Sequence, residues 1–174
     1  MSDVILVDEN DVAIGQMNKI EAHEKGLLHR AFSVFIFNDK NELLLQKRAM
    51  FKYHSASLWS NTCCSHPEVG ESIEDSSARR LQEEMGFTTE LQFFKSFIYK
   101  SELGNGLWEH EFDHVLIGFY NAAPVPDSAE VSRWKYIDLT ELEKDMSENP
   151  SHYTAWLKII FADVKDFVLS RTKN

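Results

Sequence analysis

Ser72-Ile73-Glu74-Asp75-Ser76-Ser77-Ala78-Arg79-Arg80-Leu81-Gln82-Glu83-Glu84-Met85-Gly86-Phe87 is the stretch on which the fold turns. Ser72, with Asp75 three positions on, suits a helix N-terminal cap, and Gly86 suits the residue just past a helix end, where the backbone turns left-handed. The pattern predicts a helix over 72–85 whose inward face is Ala78, Leu81 and Met85. Its remaining face is dense in Glu and Arg. Taken alone, such a face is often a solvated one, held by pairs four residues apart such as Arg80 with Glu84.

Outward from this helix the chain alternates. Upstream, Val4 to Val7 reads as a short strand, and Ala31 to Asn38 and Glu42 to Arg48 as two more, joined by the hairpin signal Asp39-Lys40-Asn41. Downstream, Leu91 to Tyr99, Glu109 to Tyr120 and Val131 to Ile137 read as strands. Asp138 to Met146 reads as a short helix. Tyr153 to Leu169 reads as a longer one with Trp156, Ile159, Ile160, Val164, Phe167 and Val168 as its apolar stripe. Strands early and helices later predict an α/β (α+β) sandwich, a mixed sheet flanked by helices. With 174 residues and neither repeat nor linker, one domain spanning 1–174 is expected.

Composition narrows the function. Lys plus Arg number 18 against 28 Asp plus Glu, a formal net charge of −10. That balance argues against nucleic-acid or anionic-membrane partners, which are held by Lys/Arg patches. A small anionic substrate is compatible with it, because a local basic pocket overrides the global sign. The two cysteines, Cys63 and Cys64, are adjacent and cannot staple distant segments, so a reducing cytoplasm is the expected compartment. The Met1-Ser2-Asp3-Val4 start lacks the basic and apolar regions of a signal peptide. No apolar run approaches the ~20 residues of a membrane span. No obligatory protein partner is implied.

The motifs are more specific. Glu71, Arg79, Leu81, Glu83, Glu84, Gly86 and Phe87 stand at the spacing of the Nudix box, which the helix therefore resembles. In that family a loop, helix and loop present glutamates to a divalent cation on a diphosphate, a hard ion that wants oxygen ligands. Two positions depart from it: Ser65 stands where the box opens with glycine, and Arg80 where it carries a glutamate that pyrophosphohydrolases use for metal. Exchanging that ligand for a cation turns a metal site toward phosphate binding, which weakens a hydrolase reading more than the fold reading.

Three further segments sharpen this. They are Trp59-Ser60-Asn61-Thr62-Cys63-Cys64-Ser65-His66-Pro67, Trp108-Glu109-His110-Glu111, and Ala22-His23 through His29-Arg30. Together with the helix they resemble the type I isopentenyl-diphosphate isomerases of the Nudix superfamily, over roughly residues 3 to 160. The resemblance implies a Nudix-like α/β/α sandwich and isomerisation of isopentenyl to dimethylallyl diphosphate, a step of isoprenoid biosynthesis. It implies Cys64 and Glu111 as opposed acid and base, with the order of the two open, Tyr99 as a proton relay on Glu111, and Trp156 as the aromatic facing a carbocation. Lys19, Arg48, Lys52 and Arg80 are implied to hold the diphosphate. His23, His29, His66, Glu109 and Glu111 are implied to bind Mn²⁺, Zn²⁺ or Mg²⁺, and Glu84 to bind a Mg²⁺ on the substrate diphosphate. No flavin is implied.

Spacing adds an independent argument. On a strand, Glu109, Glu111 and Asp113 project to one face, the first two ~7 Å apart, while His110 and His114 project to the other. His54, His110, His114 and His152 carry no such register and read as surface or satisfied core residues. Cys63 reads as packing. Two rivals remain: a Nudix pyrophosphohydrolase, which needs the glutamate that Arg80 replaces, and a catalytically silent binding module, which leaves the acid, base and metal set unexplained.

Overall fold

The computed structural model describes residues 2–171; Met1 and residues 172–174 of the expected domain lie outside the described residues. The strands are β1 (Asp3–Val7), β2 (Ala13–Asn18), β3 (His29–Phe37), β4 (Leu43–Arg48), β5 (Trp59–Ser60), β6 (Cys63–Ser65), β7 (Leu91–Gly104), β8 (Leu107–Phe119) and β9 (Val131–Ile137). The helices are α1 (Lys19–Lys25), α2 (Ile73–Met85), α3 (Leu139–Glu148) and α4 (Ala155–Arg171), with a 3₁₀ turn at Pro150–His152. All nine strands join one mixed sheet in which β3 and β8 run parallel and the other pairs antiparallel. The expected sandwich is thus the observed one.

The layers follow from β3, whose run Ala31–Phe37 is buried on both faces. Successive strand residues point to opposite sides. Phe35 and Phe37 join Leu43, Leu45, Val115 and Ile117 in the core beneath α3 and α4. Phe32, Val34 and Ile36 join Leu44 and Leu116 under α2, through Leu81 and Met85. Each fully buried Phe or Leu contributes roughly 1.5–3 kcal/mol relative to an exposed one. Both faces therefore need a helical cover.

β3 also determines where the site lies. One edge pairs along its whole length with β8, from His29 opposite Glu111 to Phe37 opposite Phe119. The other edge is shared in succession by β1 at His29, β6 at Phe32 to Val34, and β4 at Phe37. β3 and β4 meet only at Phe37 and Leu43, then splay, and residues 60–62 fill the wedge. Side chains there replace the missing ladder. Asn61 Nδ2 donates to the carbonyls of Val34 (3.1 Å) and Cys63 (3.0 Å), and Thr62 Oγ1 donates to Leu44 O (2.6 Å) while accepting from Ile36 N (2.9 Å). Cys64 leaves this wedge already positioned.

Several boundaries differ from the sequence reading. α2 has the expected caps, with Ser72 Oγ accepting from Asp75 N at 3.0 Å and Gly86 left-handed at φ 77°. A Cβ on Gly86 would also lie 2.2 Å from Val125 O, so the position requires glycine. Its inward face is Leu81 and Met85 with Ser76 and Ser77, and Ala78 is only half-buried. In α4, Ile159 is 51% exposed and Leu157 and Phe161 take its place in the core, because the helix meets the sheet one residue away from the expected stripe. β2 and α1 went unforeseen. Both are short and polar, and α1 is set by its ends: Asn18 Oδ1 accepts from Ile20 N and Glu21 N, and Gly26 turns left-handed.

Candidate active site

A cavity opens at the end of the sheet where β3, β4, β6 and β8 come together with α2 and the N-terminus of α4. Its wall includes Cys64, His66, Glu84, Glu109, Glu111 and Trp156, together with Lys19, Arg48, Lys52 and Arg80. Residues from six elements and two connecting segments converge there. His23 and His29, fully buried, back the cavity without lining it.

β8 supplies the carboxylates. Glu109, Glu111 and Asp113 share its inner face and are all buried, as the alternation requires, while His110 and His114 turn to Gly26 O and Asp11 on the other side. His29 enters opposite Glu111, and His66 follows β6 directly. His29 Nε2 lies 3.6 Å and His66 Nε2 3.1 Å from Glu111 Oε1, and His23 Nε2 lies 3.4 Å from Glu109 Oε1. Carbonyls fix two of the rings. His23 Nδ1 donates to Lys19 O at 2.7 Å and His29 Nδ1 to Leu27 O at 2.8 Å, which leaves both Nε2 lone pairs facing the carboxylates.

Five buried side-chain atoms among the described residues have no hydrogen-bond partner, His29 Nε2, Glu109 Oε2, Asp113 Oδ1 and the Nε atoms of Arg48 and Arg80. Buried polar groups are seldom left so. Imidazole nitrogens and carboxylate oxygens within 4.8 Å of one another form two groups, His23/His29/His66/Glu111 and His23/His54/Glu109, and this donor set fits a divalent first-row metal ion. Burial raises the Glu109 carboxyl well above the ordinary range, reinforced by the charge of Glu111. Burial opposes ionisation of Glu111 too, but the polar groups of Glu109, His29 and His66 around it outweigh burial and hold Glu111 low.

Tyr99 Oη donates to Glu111 Oε2 at 2.8 Å, and burial holds the phenol protonated. Burial likewise pushes the Cys64 thiol up to about 12, against the pull of Arg48. Cys64 and Glu111 reach the cavity from strands on opposite edges of β3. Cys63, fully buried beneath α2, packs in the core. Trp156 Nε1 donates to Ser60 Oγ and Asn61 Oδ1, both at 3.0 Å, which ties α4 to the wedge, and Arg48 lies over its ring at 5.4 Å.

Two of the cations, Arg80 and Lys52, are already paired with acids. Arg80 Nη2 donates to Glu84 Oε1 at 2.7 Å, and Gln46 Nε2 donates to Glu84 Oε2 at 2.9 Å, so both oxygens of Glu84 are engaged. Lys52 pairs with Glu130, which also lies 3.5 Å from Arg80. Burial lowers the Lys19 pKa, as do Lys52 and Arg80 beside it, a concentration of positive charge on an acidic protein.

Against this geometry the family is clear. The NUDIX domain profile matches residues 27–157. An isopentenyl-diphosphate Delta-isomerase 2 of Aromatoleum aromaticum is 51% identical over 88% of this chain and 82% of its own. The isopentenyl-diphosphate Delta-isomerase of Serratia proteamaculans is 47% identical over 92% of this chain and 90% of its own. The chain belongs to the type I isopentenyl-diphosphate Delta-isomerase family. A solved structure from Deinococcus radiodurans superimposes with a TM-score of 0.78 over 93% of this chain and 98% of that one, at 17% identity, which supports the NUDIX fold alone.

As a member of this isomerase family the chain is an enzyme, and its site contains residues that the sequence reading passed over. Tyr53 and His54 line the cavity, and Glu130 reaches its cations. His54 Nε2 lies 3.1 Å from Glu109 Oε1, and burial lowers its pKa to about 2, with Arg48 the next cause. Residues 49–58 are the loop between β4 and β5, in which Lys47 pairs with Trp59, and that pairing, which brings the loop back beside Arg48, is not stated by any local sequence pattern. Among the described residues no helix is long and apolar enough to cross a membrane.

Proposed function

We propose that this protein converts isopentenyl diphosphate to dimethylallyl diphosphate, with Cys64 and Glu111 as opposed acid and base. The observation that carries the reading is the approach of these two groups to one cavity from either edge of β3, one a thiol that burial keeps protonated, the other a carboxylate. The substrate's terminal alkene is unactivated. Moving it inward needs a proton added at C4 and another removed from C2, by way of tertiary carbocation character at C3. One partner holds a proton and the other can accept one. Tyr99, hydrogen-bonded to Glu111 Oε2, extends the carboxylate as a relay.

Lys19, Arg48, Lys52 and Arg80 take the diphosphate, the arginines through a bidentate fork and the lysines as point charges. Arg80 and Lys52 exchange their internal partners Glu84 and Glu130 for phosphate oxygens. Glu84, once released, can share a Mg²⁺ with the diphosphate. His23, His29, His66, Glu109 and Glu111 would hold a divalent ion, which would fix the Glu111 carboxylate and tune its acidity. The indole of Trp156 presents a π-face to positive charge, worth ~2 kcal/mol or more when desolvated. Burial of the surrounding walls keeps out the water that would trap a cation.

The hydrolase alternative needs a glutamate where Arg80 stands, and Arg80 pairs with Glu84 instead. Purified protein with Mg²⁺ and isopentenyl diphosphate, assayed for dimethylallyl diphosphate and free phosphate together, tests the reading. Dimethylallyl product without phosphate is expected; phosphate release would replace the isomerase with a hydrolase.

A further inference from the structure

We infer that Ser60 is a positioning residue: its hydroxyl accepts from both the Cys64 thiol and the Trp156 indole, and so sets these two groups against each other. The inference rests on the isomerase reading above, in which Cys64 moves a proton and Trp156 faces the positive charge. Cys64 and Trp156 line the cavity, whereas Ser60 is fully buried and stands behind the wall they form. Its Oγ lies 3.0 Å from Trp156 Nε1, 3.3 Å from Thr154 Oγ1 and 4.0 Å from Cys64 Sγ, the outer reach of a sulfur contact.

Asn61 decides the direction of each hydrogen. Its Nδ2 gives both hydrogens to backbone carbonyls, Val34 O at 3.1 Å and Cys63 O at 3.0 Å, so the amide cannot be turned over and Oδ1 must face Ser60. A hydroxyl has a single hydrogen, and Ser60 gives it to that oxygen at 2.9 Å. Toward every other neighbour Ser60 can only accept. The indole N–H divides its hydrogen between Ser60 Oγ and Asn61 Oδ1, each at 3.0 Å. The remaining acceptor capacity of Ser60 faces Thr154 and the Cys64 S–H. In the last contact the thiol is therefore the donor.

Ser60 and Cys64 lie on β5 and β6, joined by two residues, and Trp156 lies in the first turn of α4. Asn61 and Thr62 hold the backbone of the wedge, but among the described residues Ser60 Oγ is the one hydrogen-bond contact of the thiol. A cysteine side chain can take any of the staggered χ1 positions, and an acceptor in one direction selects among them. Rotation about Cβ–Sγ alone then turns the hydrogen toward substrate with the sulfur kept in place. A misplacement of ~1 Å in a reacting group can cost ~10²-fold in rate, so a hydroxyl outside the cavity governs the chemistry inside it.

Infrared spectroscopy of the free protein reads the contact, and steady-state kinetics reads its use. The Cys64 S–H stretch, isolated as the difference between wild type and Cys64→Ala, is expected below the frequency of a thiol in an apolar solvent. It should rise in Ser60→Ala, where the acceptor is gone, and return in Ser60→Thr, which keeps the hydroxyl. Ser60→Ala should fold, since Asn61 Oδ1 still takes the indole hydrogen. It should lower kcat at least about tenfold with KM unchanged, and Ser60→Thr should recover most of the loss. An undisplaced S–H band in the wild type, or undiminished kcat in Ser60→Ala, would overturn the inference. The wild-type band requires no Ser60 variant, so the test holds even where Ser60→Ala fails to fold. A displaced band in wild type that makes no dimethylallyl diphosphate would support the contact and remove the isomerase reading instead.

Discussion

Cys64 reaches the cavity because Asn61 and Thr62, two residues with no strand of their own to complete, hydrogen-bond across the wedge between β3 and β4. Removing its sulfur should change chemistry and little else: Cys64→Ala is expected to lower kcat by at least about 10³-fold, with metal content and thermal unfolding unchanged. Undiminished turnover would sink its assignment. Glu111→Gln replaces one of the two oxygens that face His66 and Tyr99 with an NH2 donor and removes the negative charge, and should lose both turnover and bound metal on elemental analysis. Arg80→Glu would place a carboxylate against Glu84 and Glu130. A KM raised by about tenfold or more is expected, and an unchanged KM would remove Arg80 from the diphosphate site. At this scale the sequence was informative where periodicity applied. Alternation along β8 put Glu109, Glu111 and Asp113 on one face, and the family resemblance implied His66 beside them. His54 and Glu130 stayed hidden, because each sits in a loop whose return path depends on strand pairings that no local pattern states.

Among the elements, α2 links sequence to site most directly. Leu81 and Met85 bury its apolar side under β3 and β8, and Glu84 and Arg80, on the adjoining flank, reach the cavity. Leu81→Ala should cost about 3 kcal/mol of stability in denaturant unfolding, a transfer loss plus a cavity. Ahead of the helix, Arg79 grips Glu71 through two bonds, Nε to Oε1 at 2.7 Å and Nη2 to Oε2 at 2.9 Å. That hydrogen bonding, the largest cause, lowers the Glu71 pKa below its ordinary value of 4.5. A depressed folded-state pKa stabilises above the unfolded value and is lost as pH falls through the folded one. Glu71→Gln should therefore cost about 1 kcal/mol near neutral pH, with the gap to wild type closing below about pH 4. An equal gap at both pH values would contradict the pairing. The caps of α2 were legible because Ser, Asp and Gly act locally. α1 escaped because its seven residues hold little apolar surface, and its boundaries rest on Asn18 and Gly26 alone. β5 and β6, two and three residues long, are too short for any period to emerge.

For the molecule as a whole, a net charge of −10 surrounds a cavity that gathers four cations and a buried group of imidazoles and carboxylates. An ion bound only by the folded state stabilises it by mass action, about 2.7 kcal/mol at a free concentration one hundred times Kd. Chelation should accordingly lower Tm by roughly 5–10 °C, recovered on adding back Zn²⁺ or Mn²⁺. A Tm indifferent to chelator would count against a metal built into the fold. The central claim, proton addition at one carbon and removal at another with the diphosphate intact, is tested most directly by running the reaction with isopentenyl diphosphate in deuterated water. The expected product is dimethylallyl diphosphate with solvent deuterium in a methyl group, no free phosphate, and no labelling in Cys64→Ala. Unlabelled carbon accompanied by released phosphate would contradict the account.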